Sequence, residues 1–256
     1  MAQHRTQTGL IFTRVADAYQ RSPRRFSQAL YEGIAALCPP ASDTCMLDVG
    51  CGTGTTAHVL ANVYPNVYGL DASFEMLSHA AQVKADRPIV WTQGIAEHLP
   101  FASNSIAVIT AAQSFHWFDG EAFLTEARRV LKPRGLIAMF WKGPRRGEPY
   151  RKLMDRTIDE QLCVSHIKTP LGDVKHILSA SGFTDVQVKE FEFDLEWTVV
   201  SYVGFMSSTS KMAQLDEKVR EGLIPHLCAA LRKEVGQDRF TEHNVATLFT
   251  GRNREL

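Results

Sequence analysis

The segment MLDVGCGTGTTAHVL (residues 46–60) constrains the fold of this chain more than any other segment. Its glycines Gly50, Gly52 and Gly54 stand at every second position, between an apolar run and a run with helical spacing. Glycine adopts left-handed conformations and lets a ligand approach the backbone closely, at a cost in conformational entropy. The segment therefore predicts a buried strand, a tight turn and a helix, with a ligand at the turn.

Strand patterns alternate with helix patterns over the first 143 residues. Five short apolar runs predict strands, and apolar residues three and four apart predict the helices between them. The predicted strands are 45–50, 66–72, 89–94, 105–112 and 135–141, and the predicted helices are 54–64, 73–85 and 119–132. This alternation indicates crossover units and hence an α/β fold, a Rossmann-like, doubly wound sheet of parallel strands.

The pattern changes after residue 142. Further helices are predicted first, then two late strands separated by helical sequence that continues to about residue 235. The helices are predicted at 148–164 and 172–181, and the strands at 184–193 and 245–251.

No repeat or flexible linker divides the chain, so we predict a single domain over 1–256. Within this domain we expect an N-terminal helical cap (1–44), a cofactor-binding core (45–143) and a C-terminal part (144–256) with a helical lid and the last strands. The lid corresponds to residues 198–235, inserted before the last strand.

Composition argues against several classes of protein. The 28 basic and 28 acidic residues give zero formal net charge, which argues against nucleic acid and anionic membranes as partners. The five cysteines form no CxxC pair, and the nine histidines lack metal-ligand spacing, so we predict no metal, no disulfide framework and a cytoplasmic location. No segment has the pattern of a signal peptide or the roughly 20 apolar residues of a membrane helix.

Two aspartates at predicted strand ends indicate the kind of ligand. Ligands of open parallel sheets lie outside the carboxyl ends of the strands, where a carboxylate such as Asp71 can accept both hydroxyls of a ribose. A dinucleotide fingerprint requires a third glycine or alanine where this chain has Thr55. Asp48 would repel a pyrophosphate but attract an ammonium or a sulfonium, which favours S-adenosylmethionine over NAD(P).

Four segments in this order, LDVGCGTG, GLDAS, GIAEHLPF and EARRVLKPRG, resemble a class I S-adenosylmethionine-dependent methyltransferase. The resemblance covers roughly residues 10–143 and is strongest to small-molecule enzymes, the ubiquinone/menaquinone-type and trans-aconitate-type methyltransferases. It implies a seven-stranded sheet with an antiparallel last strand, S-adenosylmethionine as cofactor and S-adenosylhomocysteine as product.

The resemblance also implies the roles of individual residues. Asp48, Gly50 and Gly52 would hold the methionine part of the cofactor, Asp71 the ribose, and the residues after the second and third strands the adenine. The N-terminal helices would fold over the cofactor, where Tyr19 or one of Arg21, Arg24 and Arg25 would contact a carboxylate. The predicted cofactor-binding residues are Asp48, Gly50, Cys51, Gly52, Gly54, Asp71, Ala72, Ser73, Ala96, Glu97 and Tyr19. Ile95 replaces an acid that similar enzymes often carry before the Ala-Glu pair.

The stretch AAQSFHWFD (111–119) supplies the candidate catalytic residues Gln113, His116 and Trp117. Its aromatic residues have the spacing of core residues, but its polar residues interrupt the apolar pattern at a strand end, where ligands lie. His116 is therefore either a structural histidine or a group that faces the substrate. A phenol or N–H acceptor would need His116 as a base, whereas a carboxylate acceptor would need none.

Together these observations predict an enzyme that moves a methyl group to an O, N or C nucleophile of a small molecule. The alternatives are an NAD(P)-dependent oxidoreductase on a related sheet and a non-catalytic cofactor-binding partner subunit. The sequence leaves the acceptor and the oligomeric state open.

Overall fold

A central sheet organises the computed structural model, which describes residues 26–145, 148–160 and 174–255. The strands of the sheet are β1 (Cys45–Val49), β2 (Asn66–Asp71), β3 (Ile89–Gln93), β4 (Ile106–Ala112), β5 (Leu131–Pro144), β6 (Thr184–Thr198) and β7 (Arg239–Arg252). Their order is β3-β2-β1-β4-β5-β7-β6. The first five strands pair in parallel, and β7 pairs antiparallel with both β5 and β6. The predicted seven-stranded sheet with an antiparallel last strand is confirmed.

Helices connect these strands and cover the sheet. They are α1 (Gln28–Leu37), α2 (Thr55–Ala61), α3 (Phe74–Gln82), α4 (Gly120–Val130), α5 (Pro149–Asp159), α6 (Val174–Ala180), α7 (Val199–Ser207), α8 (Ser210–Ala213) and α9 (Glu217–Val235), with a short 3₁₀ turn at Phe115–Trp117. From β1 the chain proceeds outward through β2 to β3 and then returns to β4 on the other side of β1. The order of the strands therefore reverses between β1 and β4, which is where ligands bind in such sheets.

Helix α4 shows how local sequence produces these elements. The side chain of Asp119 accepts a hydrogen bond from the backbone N–H of Ala122, at 3.3 Å, and so caps the start of the helix. Four buried residues at helical spacing, Phe123, Leu124, Ala127 and Val130, pack on the sheet.

Alternating side chains along the strands form a core on each face of the sheet. Leu47 and Val49 of β1 pack on one face together with residues of α4 and α6. Met46, between Cys45 and Leu47, packs on the other face together with α1 and α2. Because helices cover both faces, the central strands read as nearly continuous apolar runs in the sequence.

A third apolar cluster lies in the C-terminal part, where α5, α7, α8 and α9 pack together with Phe240 of β7. The helical insertion predicted before the last strand is therefore present as α7–α9. Residues 239–243 of β7 pair with 194–198 of β6 beyond the last β5–β7 pair, so this two-stranded ribbon extends past the carboxyl end of β5.

Several predicted boundaries were wrong. β5, β6 and β7 are all longer than predicted, because pairing continues through polar residues of the kind that break an apolar run. The helix predicted over 119–132 ends at Val130, and β5 starts directly after it at Leu131. The structure describes residues 26–44 of the predicted N-terminal cap (1–44), and the helix in this part is α1.

Candidate active site

The glycine turn after β1 is held against β2 by its own backbone. The N–H groups of Gly50 and Cys51 both donate to the carbonyl oxygen of Leu70, at 2.8 and 3.0 Å. Gly50, Gly52 and Gly54 have φ angles of 65°, 56° and 78°, in the left-handed region that side chains disfavour. The sequence therefore needs glycine at this turn because of its backbone conformation.

Close packing adds a second reason for two of these glycines. A Cβ atom on Gly50 would lie 2.6 Å from Cβ of Ser114, in the segment that follows β4. A Cβ atom on Gly54 would lie 2.5 Å from the ring of Trp91 in β3. The turn is thus packed closely against the segment after β4 on one side and against β3 on the other.

Asp71, the last residue of β2, connects the turn to the next helix. Its Oδ2 accepts the N–H of Gly52 at 2.8 Å, and its Oδ1 accepts the N–H of Ser73 at 2.9 Å. Burial raises the pKa of this carboxyl, and the N–H groups of Ser73 and Gly52 oppose the rise. Each oxygen keeps a further lone pair with which a ligand hydroxyl can bond.

Asp48 is a second carboxylate at this edge and, unlike the partly buried Asp71, is fully buried, with 1% of its surface exposed. Its Oδ1 accepts the hydroxyl hydrogen of Thr110 in β4 at 2.7 Å. Its Oδ2 is buried and has no hydrogen-bond partner among the described residues. The backbone N–H of Ala57 does not meet the geometry of a hydrogen bond to Asp48, but it still lowers the pKa of this carboxyl. Burial raises the pKa of Asp48 to about 7, the Thr110 bond opposes the rise, and the Asp71 carboxylate adds to it.

The predicted adenine-side residues lie near this edge but differ in what their side chains do. Ser73 is buried and caps α3 by accepting the Met76 N–H at 3.3 Å. Ala96 is buried in the core. Glu97 accepts the N–H of Asp119 at 2.7 Å, which connects the β3–β4 loop to the segment after β4.

Two further residues of the predicted cofactor site have other positions. Cys51 is buried in the turn, and burial together with the Asp71 and Asp48 carboxylates raises the pKa of its thiol well above the ordinary value. The thiol therefore stays protonated and un-nucleophilic at neutral pH. Ala72 accepts a hydrogen bond from the Gln93 side chain at its carbonyl oxygen, at 3.1 Å. Tyr19 lies outside the described residues.

The candidate catalytic residues follow β4 directly. Gln113 donates from its side-chain amide to the carbonyl oxygen of Lys142 in β5, at 3.0 Å. His116 accepts a hydrogen bond at Nδ1 from the indole N–H of Trp141, at 3.2 Å. The Trp117 ring lies beside the His116 ring, with centroids 4.9 Å apart. The structure thus brings these three residues together with the end of β5.

The sequence reasoning missed Thr110 and Trp141, and it noted Ser114 only as a polar residue at the end of the fourth strand, without a partner. Thr110 and Ser114 bond residues of β1 from β4 and from the turn after it, and Trp141 bonds His116 from β5. In the sequence they are recognisable only as a hydroxyl side chain, or an indole with its N–H group, inside or beside a buried strand. Which partner each would bond depends on strand order, which local sequence does not contain.

The fold and this strand edge define a class of protein. The sheet order, a glycine turn after β1, an acid ending β2 and a buried acid inside β1 are together the arrangement that the resemblance to class I methyltransferases implies.

Comparison with known proteins gives the family. A model described as a methyltransferase domain matches residues 47–139, which run from β1 into β5. A malonyl-[acyl-carrier protein] O-methyltransferase of Dechloromonas aromatica is 29% identical over 184 residues, which are 70% of this chain and 66% of that protein. The chain therefore spans just under two thirds of that relative.

Solved structures share the fold at lower identity. An Anaeromyxobacter dehalogenans protein assigned as a type II methyltransferase superposes with a TM-score of 0.68 at 21% identity, over 91% of this chain and 99% of that one. Phosphoethanolamine N-methyltransferase 2 of Haemonchus contortus, solved with S-adenosylhomocysteine, superposes with a TM-score of 0.57 at 18% identity, over 94% of this chain and 57% of that one. Residues 47–139 thus match a methyltransferase domain, and the rest of the described fold is similar to that of methyltransferases.

Neither a membrane-spanning helix nor a metal cluster is found among the described residues. None of their helices combines the length and apolar character needed to cross a membrane. No group of three or more His, Cys, Asp or Glu side chains among them is placed to hold a metal ion.

Proposed function

We propose that the enzyme methylates a small molecule lying over the carboxyl ends of β4 and β5, with the cofactor over β1 and β2. The observation that carries the proposal is the pair of carboxylates at the ends of adjacent strands, the buried Asp48 and the partly buried Asp71. A ligand that brings a positive charge stabilises such a pair, whereas a pyrophosphate would be repelled. The residues therefore fit S-adenosylmethionine and not NAD.

Each part of the site has a role in this proposal. The unpartnered oxygen of Asp48 faces the charge of the ligand's amino-acid part, and Asp71 accepts the ribose hydroxyls through its remaining lone pairs. When bound, S-adenosylmethionine supplies a methyl group activated by a sulfonium. The segment after β4 then orients the acceptor, and alignment with exclusion of water supplies most of the catalysis.

The nature of the acceptor has support from charge and from the relatives. The zero net charge of the chain supports a small molecule rather than a nucleic acid. The relative named above acts, by its name, on an oxygen of a malonyl group. The four described cysteines are free, which supports a reducing compartment such as the cytoplasm.

Thermal unfolding with added ligand tests this function. S-adenosylhomocysteine at about 100 times its dissociation constant should stabilise the fold by about 2.7 kcal/mol, and NAD at the same concentration should leave it unchanged. Stabilisation by NAD alone would favour the oxidoreductase. Binding of S-adenosylhomocysteine without methyl transfer to any molecule in a cell extract would favour the non-catalytic partner subunit.

A further inference from the structure

Two carboxyl groups lie on adjacent strands at the edge where we propose that the cofactor binds. Asp48 of β1 pairs in register with Gly69 of β2, two residues before Asp71. Among the described residues no cation forms an ion pair with either carboxyl. Two neighbouring carboxylates without a cation disfavour ionisation of both, so one of them tends to keep a proton.

The hydrogen bonds of the two groups show which one keeps it. Asp71 is partly buried, and its two oxygens accept the N–H groups of Gly52 and Ser73, which favour the ionised form. Asp48 is buried, accepts one hydroxyl hydrogen from Thr110, and has a second oxygen, Oδ2, without a donor among the described residues. A buried charge without donors is costly, and such a group neutralises instead. The geometry therefore places the proton on Asp48.

The elements that flank Asp48 bring no positive side chain to Oδ2 within the described part of the chain. The glycine turn contributes the Cys51 thiol, which is protonated at neutral pH. Helix α2 contributes the backbone N–H of Ala57, which favours the ionised form of Asp48 more weakly than burial disfavours it. The titratable side chain of α2, His58, points to α3, where its Nε2 lies 3.0 Å from the carbonyl oxygen of Ala80.

Strand β5 and helix α1 contribute polar groups to the same face of the sheet. The ammonium of Lys142 lies 5.9 and 5.4 Å from the ring centroids of Phe193 on β6 and Phe205 on α7. Helix α1 contributes Tyr31 to the core on this face. Neither Lys142 nor Tyr31 is among the groups that change the pKa of Asp48.

A ligand that carries a cation changes this balance. An ammonium beside Oδ2 favours the ionised carboxylate, as any opposite charge does. We infer that Asp48 holds a proton in the free protein and releases it to solvent when the ammonium of the cofactor's amino-acid part binds. The O–H bond of Asp48 breaks, its electron pair stays on the oxygen, and the proton passes to water or buffer. This inference rests on the proposed function and adds a proton exchange to cofactor binding.

The affinity for the cofactor should then depend on pH. Burial raises the pKa of Asp48 to about 7, so below this pH the ligand must displace the proton and binds more weakly. The dissociation constant of S-adenosylhomocysteine should rise about tenfold between pH 8 and pH 6. In Asp48→Asn the rise should be absent, because an asparagine has no proton to lose.

Calorimetry counts the released protons directly. S-adenosylhomocysteine is titrated into the protein in phosphate and in imidazole buffer at the same pH, and the difference in heat between the buffers gives the number of protons. We expect about 0.9 proton released at pH 6 and about 0.1 at pH 8. Binding at pH 6 without proton release would overturn the inference and leave the proposed function intact. Absence of binding at both pH values would instead contradict the proposed function.

A matched ligand and a matched variant identify the source of the proton. 5′-Methylthioadenosine keeps the adenine, the ribose and a thioether but lacks the ammonium, so it should release no proton. Thr110→Val removes a hydroxyl that favours the ionised form of Asp48, so this variant should release more protons than the wild type at pH 8. Equal release with both ligands would show that the proton comes from another group and would overturn the inference.

Infrared difference spectroscopy observes the carboxyl group itself. At pH 6 the C=O band of a protonated carboxyl should disappear from the wild-type protein when S-adenosylhomocysteine binds, and Asp48→Asn should show no such change. A wild-type spectrum without this loss would contradict the inference, whether or not the variant folds.

Discussion

Replacing Asp48 by asparagine removes one buried charge while keeping the size of the side chain. In the wild type, burial raises the pKa of Asp48 to about 7, so the folded protein binds this proton more tightly than the unfolded chain does. Stability from the neutral carboxyl is therefore fully present at low pH and is lost as the pH rises through about 7. An asparagine carries no such proton, so the variant should lack this dependence.

The expected magnitude follows from the position of the pKa. For each pH unit below a pKa of about 7, the bound proton adds about 1.36 kcal/mol to the unfolding free energy. Because pH 5.5 lies about 1.5 units below this pKa, the wild type should lose about 2 kcal/mol of unfolding free energy between pH 5.5 and 8.5 through Asp48 alone. The asparagine keeps an oxygen for the Thr110 hydroxyl, but its amide group lies where Oδ2 has no partner. This costs about 1–3 kcal/mol at both pH values and so cancels from the comparison.

Urea unfolding of both proteins at the two pH values measures this difference. The other titratable groups are present in both proteins, so the change in the wild type minus the change in the variant is the contribution of Asp48, its coupling to Asp71 included. We expect about 2 kcal/mol, with the wild type the more sensitive to high pH. Identical pH dependence in the two proteins would refute the argument that Asp48 is a buried, raised-pKa carboxyl.

Three other predictions concern the site and the C-terminal ribbon. Asp71→Ala should weaken S-adenosylhomocysteine binding by about 10- to 150-fold in calorimetry with the fold intact, since it removes hydrogen bonds to a charged group, and unchanged affinity would count against the ribose assignment. Gly52→Val should abolish stabilisation by S-adenosylhomocysteine, because valine disfavours the φ of 56° at this position; a folded variant that binds normally would show that the glycine turn serves packing and not cofactor binding. Glu242→Ala should cost about 1–3 kcal/mol in urea unfolding, because it removes the acceptor of the partly buried Trp197 N–H and one of the two acceptors of the buried Asn244 amide, whereas Glu242→Gln should cost less; equal stabilities would show that the contact is dispensable.

The sequence predicted the sheet because its strongest signals are local. The alternation of apolar runs with helical spacing, and the glycines after Val49, report backbone conformation directly. The lengths of β6 and β7 could not be predicted in the same way. Residues 194–198 and 239–243 are largely polar, and they are strands because they pair with each other across the helical insertion.

The site was predicted to a similar extent. Asp48 and Asp71 stand out in the sequence because strand ends of a parallel sheet converge on a ligand. Their actual partners could not be found, because the Thr110 hydroxyl lies 62 residues from Asp48 along the chain. The Trp141–His116 bond likewise depends on the pairing of β4 with β5. Such contacts decide what His116 can do, and they exist only once the strand order is known.

The central claim is that S-adenosylmethionine binds across the ends of β1 and β2, and a crystal structure with S-adenosylhomocysteine tests it most directly. The account predicts both ribose hydroxyls within hydrogen-bonding distance of the Asp71 carboxylate and the ligand's ammonium on the side of Asp48, with open volume between the sulfur and His116. A ligand bound elsewhere, or one whose ribose does not contact Asp71, would contradict it.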